Sequence, residues 1–155
     1  MPISTRIKHH LEENKIPYSL FFHPSASTAQ GTAAAMHVSG NEVAKTVVVQ
    51  SGNDYCLVVL PASYHVKTGK LARVIGRPVR LATELEFSSL FPDCELGAMP
   101  PLGEIYGLAV YVDESLAGDK EILFNAGTHR DAIRMKYDDF VSIAKPVVGA
   151  FAAKG

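Results

Sequence analysis

The stretch VAKTVVVQ-SGND-YCLVVLP, residues 43–61, constrains the fold of this chain more than any other. Two valine-rich apolar runs flank a Ser-Gly-Asn-Asp cluster, and β-branched residues on either side of a turn former are the pattern of a β-hairpin. Both runs are apolar enough to lie centrally in a sheet, and Pro61 closes the second. A chain of 155 residues can build a core around such a hairpin without staples, because at this length roughly two thirds of the extended-chain surface is buried on folding. With 47% hydrophobic and 20% charged residues and a formal net charge of -1, the composition argues against disorder. It also argues against a nucleic-acid binder that relies on a strongly basic surface, while leaving room for a local basic patch.

The elements around the hairpin alternate in type. Ser4 is placed to cap a helix from Thr5 to about Asn14, with Ile7 and Leu11 on one face and Pro17 marking its end. Tyr18 to His23 reads as a strand stopped by Pro24, and the alanine-rich run beginning at Ser27 reads as a short helix ended by Gly40. Lys67 to Ile75 is helical with Gly76 as its stop, and Thr83 with Glu86 three positions on makes a capping box for a helix to Leu90. Three prolines and two glycines from Pro92 to Glu104 require a loop. Gly107–Val112, Glu121–Phe124 and Ala132–Met135 read as strands, Tyr137–Ile143 as a helix before Pro146, and the tail FAAKG as frayed. Interleaved strands and helices without long linkers or repeats predict one α/β domain over residues 1–155, a mixed sheet with helices packed on it.

Cys56 and Cys94 are 38 residues apart and match no paired metal spacing, so both are expected as small buried hydrophobes. No stretch approaches the roughly 18 to 20 apolar residues that span a bilayer, and the start MPISTRIKHHLEENK has no apolar run after its positive charges. A cytoplasmic protein without membrane contact is therefore expected. The six histidines form no HExxH, and there is no GxSxG elbow, phosphate-binding Walker loop or dinucleotide fingerprint. No metal and no cofactor is expected.

Three features carry chemistry. Period-two alternation puts Lys45 on the same face as Val43, Val47 and Val49. The lysine either snorkels to water along its alkyl stem or reaches an anion such as a phosphate in a cleft at the strand end. In GAMPPLG, Gly97, Pro101 and Gly103 can force a tight path that aims backbone N–H groups at a ligand, or form an ordinary surface turn. In NAGTHRDAI, Gly127 and Thr128 can bring backbone near a bound group that His129 orients, or His129 is a partly buried hydrogen-bonding residue. The hydroxyls of Ser25, Ser27 and Thr28 after His23 are accounted for by capping.

Taken in order, the lysine of VAKTVVV, the GAMPPLG loop and the glycine of NAGTHRDAI resemble the YbaK/ProX family, freestanding relatives of the editing insertion of bacterial prolyl-tRNA synthetase. The resemblance runs from Tyr18 to about Ile143. It implies an α/β (α+β) fold with a mixed central sheet, partly barrel-like, and surrounding helices. The implied activity is an aminoacyl-tRNA deacylase that hydrolyses the ester of mischarged tRNA in trans. The implied partners are the aminoacylated 3′ end of tRNA and, transiently, a synthetase.

Residue by residue, Lys45 looks like the family's phosphate-holding lysine, Gly97 and Pro101 like its GxxxP pair, and Gly127 like its later glycine, with His129 beside the aminoacyl group. The substrate-facing set is then His23, Thr28, Lys45, Met99, Gly103 and Thr128. Met99 and Pro100 stand where several relatives carry small or polar residues, which predicts a differently shaped acyl pocket. Such a site needs no protein nucleophile, because an aminoacyl ester is already activated. A positioned water, backbone N–H groups at the developing oxyanion and an anchored phosphate suffice, with the terminal ribose hydroxyl able to orient the water. The alternatives are a non-catalytic binding module for the aminoacylated tRNA end and a small-molecule-binding protein.

Overall fold

The computed structural model describes residues 4–22 and 43–154. The Ser4 hydroxyl accepts from the amides of Arg6 and Ile7 and starts helix α1 (Thr5–Glu13), which buries Ile7 and Leu11 as their spacing requires. Strand β1 (Ser19–Phe22) follows. The hairpin forms as β2 (Ala44–Ser51) and β3 (Asp54–Pro61), pairing Val49 with Cys56 and Ser51 with Asp54 around a turn in which Gly52 takes φ 63°. Strand β4 (Tyr64–Val66) leads into α2 (Thr68–Ile75), ended by Gly76 at φ 86°. Strand β5 (Val79–Leu81) precedes α3 (Glu84–Phe87), where Thr83 and Glu86 close the expected capping box before a 3₁₀ turn over Ser88–Leu90. After the long loop come β6 (Ala109–Asp113), β7 (Glu121–Asn125), β8 (Asp131–Lys136), α4 (Tyr137–Ala144), β9 (Val147–Gly149) and β10 (Ala152–Lys154).

The strands form a five-stranded sheet in the order β5-β2-β3-β6-β9, a three-stranded sheet β1-β8-β7 and a two-stranded pair β10-β4. The large sheet is mixed: β2 runs antiparallel to β3 and β5, whereas β3–β6 and β6–β9 are parallel. The expectation of a partly barrel-like sheet is corrected here, because β5 and β9 are unpaired edges among the described residues. Closure would need a continuous ladder between them. Both are three residues long, and Pro78 and Pro146 stand immediately before them, removing the N–H groups that would extend pairing. The three-stranded sheet touches β2 through one parallel bridge, Val43 to Leu123.

Alternation along the hairpin divides the interior. Ala44, Val48, Leu57 and Val59 face a large core with Ile7, Leu11, Phe124 and Phe140. Val47, Val49, Cys56, Val58 and Leu60 face a second core closed by Leu71 of α2 and by Phe151. The tail is the second correction. Phe151 is fully buried, its N–H donates to Asp113 Oδ1 at 2.9 Å, its carbonyl accepts from Lys67 at 2.7 Å, and Ala152–Lys154 pair with β4. Burying such a ring contributes roughly 1.5–3 kcal/mol, which outweighs the weak propensity of three residues. Cys56 is buried as expected, but Cys94 is only half-buried. No helix among the described residues is long and apolar enough to cross a membrane.

Candidate functional site

The GAMPPLG loop turns at Gly97, which is exposed and holds φ 85°, and then dives inward: Ala98 to Gly103 are all buried. Pro100 and Pro101 suit that path, because they bring no N–H group needing a partner inside the protein. At Gly103 a Cβ would lie 2.2 Å from the Leu108 carbonyl oxygen, so glycine is required there for close packing against the chain entering β6.

The second loop joins β7 to β8. Thr128 Oγ1 donates to Asp131 Oδ2 at 2.6 Å and accepts from the amides of Arg130 and Asp131, so its hydroxyl is committed within the loop. Gly127 holds φ 92° and backs onto Ile7 and Cys94. The two loops are braced together. The Gly127 amide donates to the Ala98 carbonyl at 2.8 Å and the Glu95 amide to the Gly127 carbonyl at 2.7 Å. The His129 amide donates to Glu95 Oε1 at 2.8 Å, and His129 Nε2 lies 2.7 Å from the Leu96 carbonyl. A carbonyl only accepts, so Nε2 carries the proton and Nδ1 the free lone pair. That Nδ1 is buried and has no hydrogen-bond partner among the described residues. The Gly97 amide points to Met99 Sδ at 3.3 Å, a weak acceptor.

The structure thus brings Gly97, Met99, Gly127, Thr128 and His129 into one cluster, with Pro101 and Gly103 in the buried stem of the first loop. Lys45 stands nearby but is not bonded to either loop. The parallel Val43–Leu123 bridge lies two residues before both Lys45 and Asn125, so β2 enters its sheet beside the strand that delivers the second loop. Lys45 is half-buried, no carboxylate pairs with it among the described residues, and desolvation lowers its pKa below the ordinary lysine value. His23 and Thr28, with Ser25, Ser27 and the expected helix to Gly40, lie outside the described residues. A surface cavity of about 470 Å³ lined by Asp119, Lys120, Glu121, Lys136 and Asp138 opens at the other end of β7. Among the described residues no group of three His, Cys, Asp or Glu side chains could hold a metal ion.

Behind the loops sits a network that the sequence reading missed. Asp93 accepts from Ser4 Oγ at 2.5 Å and from the Tyr106 hydroxyl at 3.1 Å, and Arg6 lies 3.9 Å away and over the Tyr106 ring. Cys94 Sγ is 3.1 Å from the same hydroxyl, and burial pushes its pKa up to about 11, which disfavours the nucleophilic thiolate. Burial also acts to raise the Asp93 pKa, but the hydrogen bonds and the Arg6 charge outweigh it and hold the carboxyl below its ordinary value. No local motif announces this arrangement, since Ser4 and Asp93 are 89 positions apart. A carboxylate whose folded pKa is depressed stabilises fully above the unfolded value and loses that contribution as pH falls. Asp93→Asn is therefore expected to lower stability by about 1–3 kcal/mol at neutral pH. In urea melts, the gap to the parent should shrink as pH drops through and below the ordinary carboxylate value of 3.8. A gap independent of pH would mean that the charge is not what Asp93 contributes.

The family profile described as an aminoacyl-tRNA editing domain matches residues 23–143, which include both loops and Lys45. No curated protein matches by sequence. Among solved structures, the hypothetical protein APE2540 superposes with a TM-score of 0.88 at 21% identity, over 96% of this chain and 99% of that one. A candidate trans-editing enzyme for prolyl tRNA synthetase gives 0.84 at 24% identity, over 98% and 99%. A scaffold used for computational epitope grafting gives 0.84 at 22% identity, over 96% and 95%. At these identities the likeness establishes the fold.

Proposed function

The chain belongs to the aminoacyl-tRNA editing domain family, and from that premise we propose that it is a deacylase of the YbaK/ProX type, hydrolysing the ester of mischarged tRNA in trans. The observation that carries the reading is the bracing of the two glycine loops through the Gly127–Ala98 and Glu95–Gly127 hydrogen bonds, which holds the matched motifs in one site.

In the proposed reaction, water attacks the ester carbonyl, the oxyanion collapses, and the ribose 3′ or 2′ oxygen leaves and takes a proton. The products are free amino acid and uncharged tRNA. The chain contributes position and backbone dipoles. The Gly127 amide is committed to the brace, whereas the Gly97 amide rests only on the Met99 thioether. Gly97 N–H is therefore the donor free to turn to the developing oxyanion, with Met99 Sδ holding the place an oxygen would take. The Nε2–Leu96 contact holds the His129 ring beside Gly97, where it sets the path of the loop that carries the proposed donor. Lys45 anchors the phosphate next to the terminal adenosine; a lysine paired with phosphate stays charged and is a poor general base.

The direct test is incubation with tRNAs carrying alanyl, cysteinyl, seryl or threonyl esters. Ester loss well above the spontaneous rate for at least one of them is expected. Binding with the ester left intact on every tRNA would replace the enzyme with a binding module.

A further inference from the structure

The charge of this chain is unevenly spread. From Lys67 to Arg80 the sequence carries five of its 15 Lys and Arg residues and none of its 16 Asp and Glu. Lys67, Lys70, Arg73, Arg77 and Arg80 are all exposed, from the N-cap of α2 at Lys67 to β5. Arg77 pairs with Asp54 at 3.5 Å, and Arg80 pairs with Glu86. Lys67, Lys70 and Arg73 have no carboxylate partner among the described residues. Their three-residue spacing keeps them on one flank of the helix, where like charges repel. Leu71 and Val74, four residues after Lys67 and Lys70, fix the adjoining flank to the protein: Leu71 is buried in the second core, and Val74 packs where a Cβ on Gly149 would sit.

This flank is on the same side of the large sheet as Lys45. Lys45 alternates in phase with Val47 and Val49, and its cross-strand partner Leu60 packs in one cluster with Leu71. Helix α1 packs on the other side. One sheet face therefore carries a half-buried lysine at the strand entrance and three further cations at the start of and along the helix that covers it, none with a carboxylate partner among the described residues.

We infer that this face docks the sugar–phosphate backbone of the tRNA substrate, with Lys67, Lys70 and Arg73 taking phosphates beyond the one at Lys45. The identity of the nucleic acid rests on the deacylase reading above. The chemistry is that of point charges on an exposed helix, which reads phosphate and not base sequence. It explains how a chain of net charge -1 could hold a polyanion: the binding charge is local, so affinity should be strongly salt-dependent.

The test is a Lys67→Ala, Lys70→Ala, Arg73→Ala triple variant. Alanine is a strong helix former, so α2 and its Leu71 contact are retained. Binding of uncharged tRNA is followed by fluorescence anisotropy across salt, beside hydrolysis of charged tRNA and of a short aminoacyl-adenosine ester. At low salt the variant should bind tRNA about tenfold more weakly, and its log–log salt slope should be shallower by roughly one per lost phosphate contact. Hydrolysis of the short ester should be unchanged. A control triple at the exposed Lys8, Lys120 and Lys136 removes the same charge elsewhere and should change little. Unaltered tRNA affinity and slope in the α2 variant, or equal losses in the control, would overturn the docking surface and leave the deacylase reading intact. If the parent hydrolyses no ester but tRNA binding still depends on α2, the docking surface stands and the deacylase reading falls.

Discussion

Gly97→Ala is expected to slow single-turnover deacylation roughly a hundredfold, while binding of a nonhydrolysable aminoacyl-adenosine analogue changes little. Two physical effects act together at this position. Gly97 holds φ 85°, where an L side chain costs about 1–2 kcal/mol, so the turn relaxes toward another conformation and takes its amide with it. The added Cβ would also stand 3.3 Å from His129 Cε1, in a ring held to the Leu96 carbonyl next to Gly97 itself. The ring cannot yield without disturbing the loop that carries the proposed oxyanion donor. Displacements of about 1 Å at a reacting centre can cost a factor of a hundred in rate. The buried stem after the turn and the Gly127 brace are untouched by the change, so thermal stability should fall only by the strain of the turn. Parent-like turnover in Gly97→Ala would remove the loop from the mechanism.

How much of this could be read from residues alone follows from how local each feature is. The hairpin, the Ser4 cap, the Thr83–Glu86 box and the left-handed Gly76 stop depend on neighbours within a few positions, and each forms where expected. The edge strands β5, β9 and β10 depend on partners far along the chain, and three residues carry too little periodicity to reveal them. Sheet closure was misjudged for the same reason, since whether β5 meets β9 is decided by the folded path and by Pro78 and Pro146, not by any one pattern. In the site, the motif glycines were legible because a positive φ, at Gly97 and Gly127, and a close backbone approach, at Gly103, have a residue type of their own. The brace between Gly127 and Ala98 was not, because it joins two main chains and leaves no mark on side-chain identity. Nor was the Asp93 network, whose members come from three separate segments.

Lys45→Met is expected to raise KM for charged tRNA by roughly 5- to 150-fold, the equivalent of losing one charge-assisted phosphate contact of about 1–3 kcal/mol. Methionine keeps most of the side chain's length and apolar contact beside Val47 and Val49 and removes only the charge. The protein should not be weakened, because the ammonium it replaces is desolvated and has no carboxylate partner among the described residues. Burial depresses the folded pKa of Lys45, so the folded state gives up this proton more readily than the unfolded chain. The resulting penalty is present while the lysine is charged and is relieved as pH rises through the folded pKa, and in Lys45→Met it is absent at every pH. Melting temperature should accordingly equal or exceed the parent's, with the largest gain at neutral pH and the gain closing in alkali. Catalysis should move the opposite way. Parent KM should climb in alkali, beginning below the ordinary lysine value of 10.5, as the ammonium that anchors phosphate loses its proton. The variant's KM should stay high and flat, and Lys45→Arg should restore part of the affinity while staying charged across the range. Parallel KM profiles for parent and Lys45→Met, with native stability in both, would take Lys45 out of the site.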